Sequence, residues 1–395
     1  MSRICLIKGQ SQYDTTRTLL DRLGTVWSRT GHEVHVVDLV DSNWPAAMGE
    51  AFSAEVAFVF SFNAVGMDIA TESGSIYEQA GTTFVTSLMD HPVYHLERLR
   101  TAVRGAVIGC VDRTHVRFVR SHFKGTRSAA FLPHAGMAVR GETTPMNRRT
   151  IDVLFSGTYV DPDSVRKAWT EAPAAVRRIY DGVAEHLLAD PTCSLVQGVE
   201  AVLEREGLAP EDTLHAALLA NITPVDTFVR ASRRRDALSA LVEAGVPLDL
   251  VGDSWENSSF ARAPRVRAHP AVPYPILLEW MQRARVVLNV LPAFPDGSHD
   301  RVFCACLSGA VCASDENPYL RETFPDDDSI VFFPTRSPEA LADTLATLLR
   351  DDASLQVVAD RGRAVCETAH TWENRTARIT ELVEASRILG ALRDG

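Results

Sequence analysis

At 395 residues the chain is too long for one ordinary hydrophobic core and suits two domains. Its 46% apolar and 23% charged residues match the balance of soluble globular proteins, and its net charge of −11 argues against nucleic acid or an anionic membrane surface as the main partner. No apolar run approaches the roughly 20 residues that span a bilayer, and the opening segment MSRICLIKGQ reads as a strand without a secretory apolar region.

The first half alternates strand and helix signals. Arg3–Ile7 is a short apolar strand, and the polar loop Gly9–Tyr13 leads to a helix over Thr15–Arg29 with Leu19, Leu20, Leu23, Val26 and Trp27 on one stripe. Further strands are expected at Val34–Leu39, Val56–Phe60, Phe84–Leu88, Val107–Val111 and Ala129–Leu132. That rhythm predicts a doubly wound α/β domain over residues 1–140. Gly9 opens no G-x-G-x-x-G pattern, so the first turn is no dinucleotide fingerprint. The polar, Pro-containing stretch Arg140–Thr150 has linker chemistry.

A second domain is expected over 151–395. It opens with the strand Ile151–Phe155 and a loop holding Gly157, followed by a helical insertion at about 163–243, fit for shaping a binding site or for dimerisation. The α/β rhythm resumes at Leu248–Val251 with another strand-end glycine, Gly252, then a polar loop with His269 and Tyr274 and a helix over Pro275–Arg283. The run Val286–Val290 is a buried strand, a short helix begins near Ser298, and the strand Ala310–Ala313 ends in Ser314-Asp315-Glu316-Asn317. After Ile330–Phe333, helices over Ser337–Arg350, Ser354–Thr368 and Thr371–Leu389 complete the chain.

Parallel sheets bind ligands beyond the carboxyl ends of their strands. A helix N-terminus with Ser298, His299 and Arg301 in its first turn suits a diphosphate, because free N–H groups and the dipole favour an anion that a guanidinium can grip. The alternative is a capped surface helix with a solvated arginine. Asp315 and Glu316, with Asn317 beside them, follow a strand end and suit the polar groups of a ligand or the cap of a helix at Pro318–Thr323. In the first domain Asp90 and His91 follow an apolar strand, so either can act as a base near neutral pH. The Gly9–Tyr13 loop, with Gln10 and Tyr13, and His134 are candidate ligand contacts of the first domain. The seven cysteines are scattered and odd in number, as reduced core residues of a cytoplasmic protein are; no metal site and no cofactor are expected.

Arg301, Phe303, Gly309 and Asp315, followed later by His370-Thr371-Trp372-Glu373-Asn374-Arg375, carry a family resemblance. The segment resembles the donor region of the two-Rossmann-domain (GT-B) glycosyltransferases, and within them the spore-maturation-type, group 1-like subgroup. The resemblance implies two Rossmann-like domains with C-terminal helices crossing back to the first. It implies a nucleoside diphosphate sugar, UDP-linked by family frequency, as co-substrate in the second domain, and an acceptor on the first. It also implies phosphate stabilisation without a metal, Gly157 near the donor phosphates, Tyr274 near the base, and a mainly structural role for the His370–Arg375 block. His134 resembles the motif that ends the first domain of such enzymes. Many relatives place a ribose-binding Glu directly after the aromatic; this chain has Cys304 there, and a thiol is a poor partner for a diol. A GT-B-like sugar-nucleotide epimerase and a degenerate nucleotide-sugar-binding scaffold are the rival readings.

Overall fold

The computed structural model describes residues 2–101, 103–123, 128–137, 141–208, 212–326 and 328–394. The chain divides into two compact units, Met1–Ala135 with Thr371–Gly395, and Gly136–His370. The expected domains were 1–140 and 151–395, and residues 138–140 lie outside the described residues.

The first unit is built on strands β1 (Arg3–Lys8), β2 (Glu33–Asp38), β3 (Val56–Phe62), β6 (Thr83–Leu88), β7 (Val107–Cys110) and β8 (Ser128–Phe131), all parallel in the order β2-β1-β3-β6-β7-β8. A small hairpin, β4 (Ala70–Thr71) with β5 (Gly74–Ser75), follows β3. Central strands are apolar throughout, because helices cover both faces of a parallel sheet. Ile4, Cys5, Leu6 and Ile7 are accordingly all buried. Trp27 of the Thr15–Arg29 helix packs edge-on against Phe58 and Phe60 at 5.5 and 5.8 Å.

The last helix, Trp372–Asp394, completes this unit. Thr371 and Asn374 cap it reciprocally: Asn374 Oδ1 accepts from Thr371 N–H at 3.0 Å, and Thr371 Oγ1 accepts from Asn374 N–H at 3.3 Å. Trp372 stands edge-on to Phe62 at 5.5 Å, and Arg375 donates to the carbonyls of Pro133 and His134 at 2.7 and 2.9 Å. The 371–375 part of the block therefore anchors a helix. His370 stacks on Phe303 at 4.7 Å within the second unit.

The second unit carries β9 (Ile151–Ser156), β10 (Leu248–Val251), β11 (Val266–His269), β12 (Ala284–Asn289), β13 (Val311–Asp315) and β14 (Val331–Phe333), parallel in the order β11-β10-β9-β12-β13-β14. β11 corrects the reading of 266–269 as polar loop. It is an edge strand with Arg267 and Ala268 exposed, so it lacks the apolar run that marks central strands. Arg267 and His269 both bond the buried Asp249 of β10, at 3.0 and 2.7 Å.

Two further differences concern the start of this unit. The supposed linker is tied down where it is described: the buried Arg149 donates to the carbonyls of Thr144, Ala284 and Ser308. The helical insertion ends in Thr223–Glu243, and this last helix is also the crossover between β9 and β10. Its Ala237, Leu238 and Leu241 belong to the core formed with the strands. Among the described residues no helix is long and apolar enough to cross a membrane.

The loops after β9 and β10 are zipped together. Gly157 N–H donates to Val251 O at 2.9 Å, Tyr159 N–H to Asp253 O at 2.9 Å, and Trp255 Nε1 to Gly157 O at 2.7 Å. A Cβ on Gly252 would lie 2.1 Å from Gly157 O, and Gly252 has a φ of 153°. Gly252→Ala should therefore force these loops apart and cost about 2–3 kcal/mol of stability, read as a lower urea midpoint at unchanged m-value.

Candidate functional site

The order of the second sheet reverses between β9 and β12, where a doubly wound sheet leaves a crevice. Arg301 sits there. The helix Asp300–Leu307 begins with His299 as N-cap, its ring nitrogen Nδ1 3.2 Å from Arg301 N, one residue later than the expected first turn. Arg301 Nε donates to Ser156 Oγ at 3.1 Å and Nη2 to Ser156 O at 2.8 Å, at the end of β9. Nη1 donates to Asn289 Oδ1 at 2.9 Å, at the end of β12, and the guanidinium lies 5.4 Å from the Phe155 ring centroid. Burial lowers its pKa from the usual arginine value. Five donors allow these three bonds and a ligand as well.

Gly157, Arg234 and His299 stand around this cation. Arg234 Nη1 is 3.9 Å from the point a Cβ on Gly157 would occupy, and its charge helps burial lower the pKa of His299. His299 Nδ1 is 2.7 Å from Asp300 Oδ1. Sequence reasoning missed Arg234. The run Arg233-Arg234-Arg235 was a usable signal, hidden because its helix looked like part of an insertion. Arg233 is buried and donates to Leu187 O at 2.6 Å; its charge also acts on Asp315.

The remaining donor-side candidates separate. Asp315 is buried, accepts from Leu291 N–H at 2.8 Å, and burial raises its pKa to about 6. Glu316 is exposed and paired with Arg321 at 2.7 Å. Asn317 is a cap: its Oδ1 accepts from Leu320 N–H at 2.8 Å, and its Nδ2 donates to Phe294 O and Gly297 O at 2.8 and 2.7 Å. Tyr274 is buried, its hydroxyl donating to Asp300 Oδ2 at 2.8 Å and lying 3.2 Å from Cys304 Sγ. Cys304 also accepts from Met137 N–H at 3.3 Å, and burial pushes its thiol up to about 12. It is an inert core thiol. Gly252 shapes the loop over Gly157, as described above.

In the first unit His91 caps a short turn, its Nδ1 accepting from Val93 N–H at 3.2 Å. Its ring packs 4.4 Å from that of His115 and 5.4 Å from Phe118, and burial holds its pKa well below the usual histidine value. Asp90 is partly exposed and acts electrostatically on His95. His134 is buried, Nε2 3.3 Å from Met89 O. Gln10 is exposed and Tyr13 partly buried, in the loop after β1.

Residues 233–381 match the model of a family described as glycosyl transferase-like. The chain carries a glycosyl transferase-like domain on a GT-B fold. The structure is similar to sucrose-phosphate synthase from Thermosynechococcus elongatus, with a TM-score of 0.54 at 12% identity over 99% of this chain and 100% of that one. It is similar to HepE of Anabaena in complex with UDP and glucose, with a TM-score of 0.54 at 12% identity over 98% and 100%. A third neighbour is an alpha-glucosyltransferase in complex with UDP-glucose and DNA containing an abasic site, with a TM-score of 0.54 at 12% identity over 97% and 99%. At these identities the likeness is one of fold. No curated protein matches the sequence.

Two outcomes are expected from this geometry. Arg301→Lys keeps the charge but not the fork, leaving Ser156 and Asn289 short of partners. Urea denaturation should show a loss of about 2–4 kcal/mol. The buried histidines of the first unit predict acid lability. His95 and His115 titrate at about 4 and about 3 when folded, both lowered by burial from 6.5. The unfolded chain takes up protons below about pH 6.5 that the folded chain refuses. Stability should thus fall as pH drops from 6.5 towards 3, and His115→Gln should flatten that slope in melts at stepped pH.

Proposed function

We propose that the protein transfers a sugar from a nucleoside diphosphate sugar, a UDP-sugar in the first instance, to an acceptor bound by the first unit. The observation that carries this reading is Arg301 pinned across β9 and β12 at the crevice of the second sheet, with Gly157, Arg234 and His299 around it. Bond cleavage leaves one more negative charge on a diphosphate that already carries two. Preorganised guanidinium donors and a helix N-terminus stabilise charge that develops there. Arg301 is held rigid by its own bonds, so it meets the diphosphate without reorganising. Arg234, partly exposed, supplies the second cation. This arrangement supports transfer in which arginines do the work a divalent metal does elsewhere.

Asp315, at the end of β13, suits a sugar hydroxyl, and Tyr274 marks the nucleoside end. On the acceptor side Asp90 is the better base of its pair. His91 spends Nδ1 on the backbone and is too strongly depressed to accept a proton readily near pH 7. In this reading His91 and His134 set the shape of the Asp90 loop.

The test is a thermal-shift and calorimetry panel of UDP, GDP, dTDP, CMP and ADP with their common sugars. A shift with one nucleotide family, and an Arg234→Ala variant that binds it about 10- to 100-fold more weakly while melting normally, is the expected result. Unchanged affinity in that variant would remove Arg234 from the site. Binding without turnover in any acceptor screen would favour the scaffold reading, for which Cys304 at the usual ribose position is the motivating feature.

A further inference from the structure

One atom of the second unit serves two partners that make opposite demands on it. Nδ1 of His299 accepts a hydrogen bond from Arg301 N–H at 3.2 Å, which makes His299 the N-cap of the Asp300–Leu307 helix. The same Nδ1 lies 2.7 Å from Asp300 Oδ1. Capping needs a lone pair on Nδ1, whereas a bond to a carboxylate needs a proton there. One ring nitrogen cannot carry both.

The surroundings hold the ring at this choice. Asn317 Nδ2 clamps the preceding loop through Phe294 O and Gly297 O at 2.8 and 2.7 Å, and Ser298 Oγ donates to His299 O at 3.0 Å. Val302 N–H donates to His299 O at 3.3 Å, so the backbone of the cap stays in place in either state of the ring. Asp300 is fixed as well, because Tyr274 Oη donates to its other oxygen at 2.8 Å. The His299 side chain is 28% exposed, enough for a ligand to reach it.

The charges on the ring come from three residues: Asp300 beside it, Arg301 two residues on, and Arg234 of the Thr223–Glu243 helix. Burial most of all, and then the two guanidiniums, favour the neutral imidazole, while Asp300 favours the imidazolium. A diphosphate held by the guanidiniums reverses that balance, since its charge offsets theirs and attracts a proton to the ring.

We propose that His299 takes up a proton when a diphosphate binds, so that Nδ1 donates to Asp300 and the Arg301 N–H is left for a phosphate oxygen. The helix start then offers its amide only when an anion is present to take it. The proton comes from solvent, and no covalent bond between heavy atoms changes. The inference rests on the nucleotide-sugar reading for the identity of the ligand, and on the His299 geometry for the proton. With His299 neutral in the free protein and charged in the complex, affinity rises as pH falls and is lost as pH rises through the pKa of the complex.

UDP-glucose is the probe, because its diphosphate diester does not titrate near neutral pH. Calorimetric titrations in two buffers of different ionisation enthalpy read the proton directly. The expected result is uptake of about half to one proton at about pH 7, with affinity rising about 3- to 10-fold per unit as pH falls from about 8 to about 6.5. Asn and Ser cap helices without a titrating atom. His299→Asn and His299→Ser should therefore melt near the wild type, take up no proton and keep the wild type's alkaline affinity at every pH. UDP-glucose binding without a buffer-dependent enthalpy overturns the inference and leaves the donor reading standing. Uptake that persists in both variants overturns it too. Inorganic pyrophosphate, run alongside, separates the two ideas: His299-dependent uptake with pyrophosphate, and no binding of any nucleotide sugar, would sink the donor reading alone. Binding of neither anion sinks both.

Discussion

One buried guanidinium organises the second unit. Arg301 reaches from the first turn of its helix to the ends of β9 and β12, the two strands between which the sheet order reverses. From Asn289 the bonding runs on to Ser314 Oγ at 2.9 Å, the neighbouring strand end, and Ser314 Oγ donates to Asp315 O at 2.9 Å. Three strand ends and a helix start are thus held in one polar network inside an otherwise apolar sheet. A buried charge is costly unless its hydrogen bonds are satisfied. The network meets that condition and still leaves donor capacity towards the crevice.

The same constraint explains the roles of the surrounding residues. With Arg301 fixed, the loop after β9 must pass close to it, and the Gly157–Gly252 contact admits no side chain at 252. Asn317 closes the far side by clamping the carbonyls of Phe294 and Gly297 while capping the next helix. Cys304 fits the interior of this arrangement. Its sulfur fills the space between Tyr274 Oη and Met137 N–H, and burial raises its pKa, which disfavours the nucleophilic thiolate.

Much of the site was legible because its residues lie on one continuous segment. The apolar run before Asn289, the short helix and the strand ending at Asp315 place Arg301 at a strand-end crevice from pattern alone. Arg234 was not legible, because its helix serves two structures: the N-terminal half packs in the inserted helices, where Phe228 meets Trp169 at 5.5 Å, and the C-terminal half is the sheet's crossover. Helical periodicity reports a buried face and does not say what it is buried against. At Glu316 and Asn317 adjacency to a strand end does not tell a ligand contact from an ion pair or a cap, and the fold supplies an ion pair at one and a cap at the other.

The amino-acid sequence by itself determined the two α/β units, the central strands and the last helix, because parallel strands covered on both faces must be continuously apolar and the amphipathic stripe of a long helix survives in any context. It also determined the anchoring role of the Thr371–Arg375 stretch, whose capping and aromatic residues act locally. Only tertiary structure decided β11, an edge strand whose polar residues are paid for by the buried Asp249 on its neighbour. Only tertiary structure turned His91 inward against His115 and Phe118 and left Asp90 partly exposed, since two adjacent residues differ in burial through what packs on them. Pattern along a chain carries periodicity and local capping; which charges meet is settled by residues far apart in sequence.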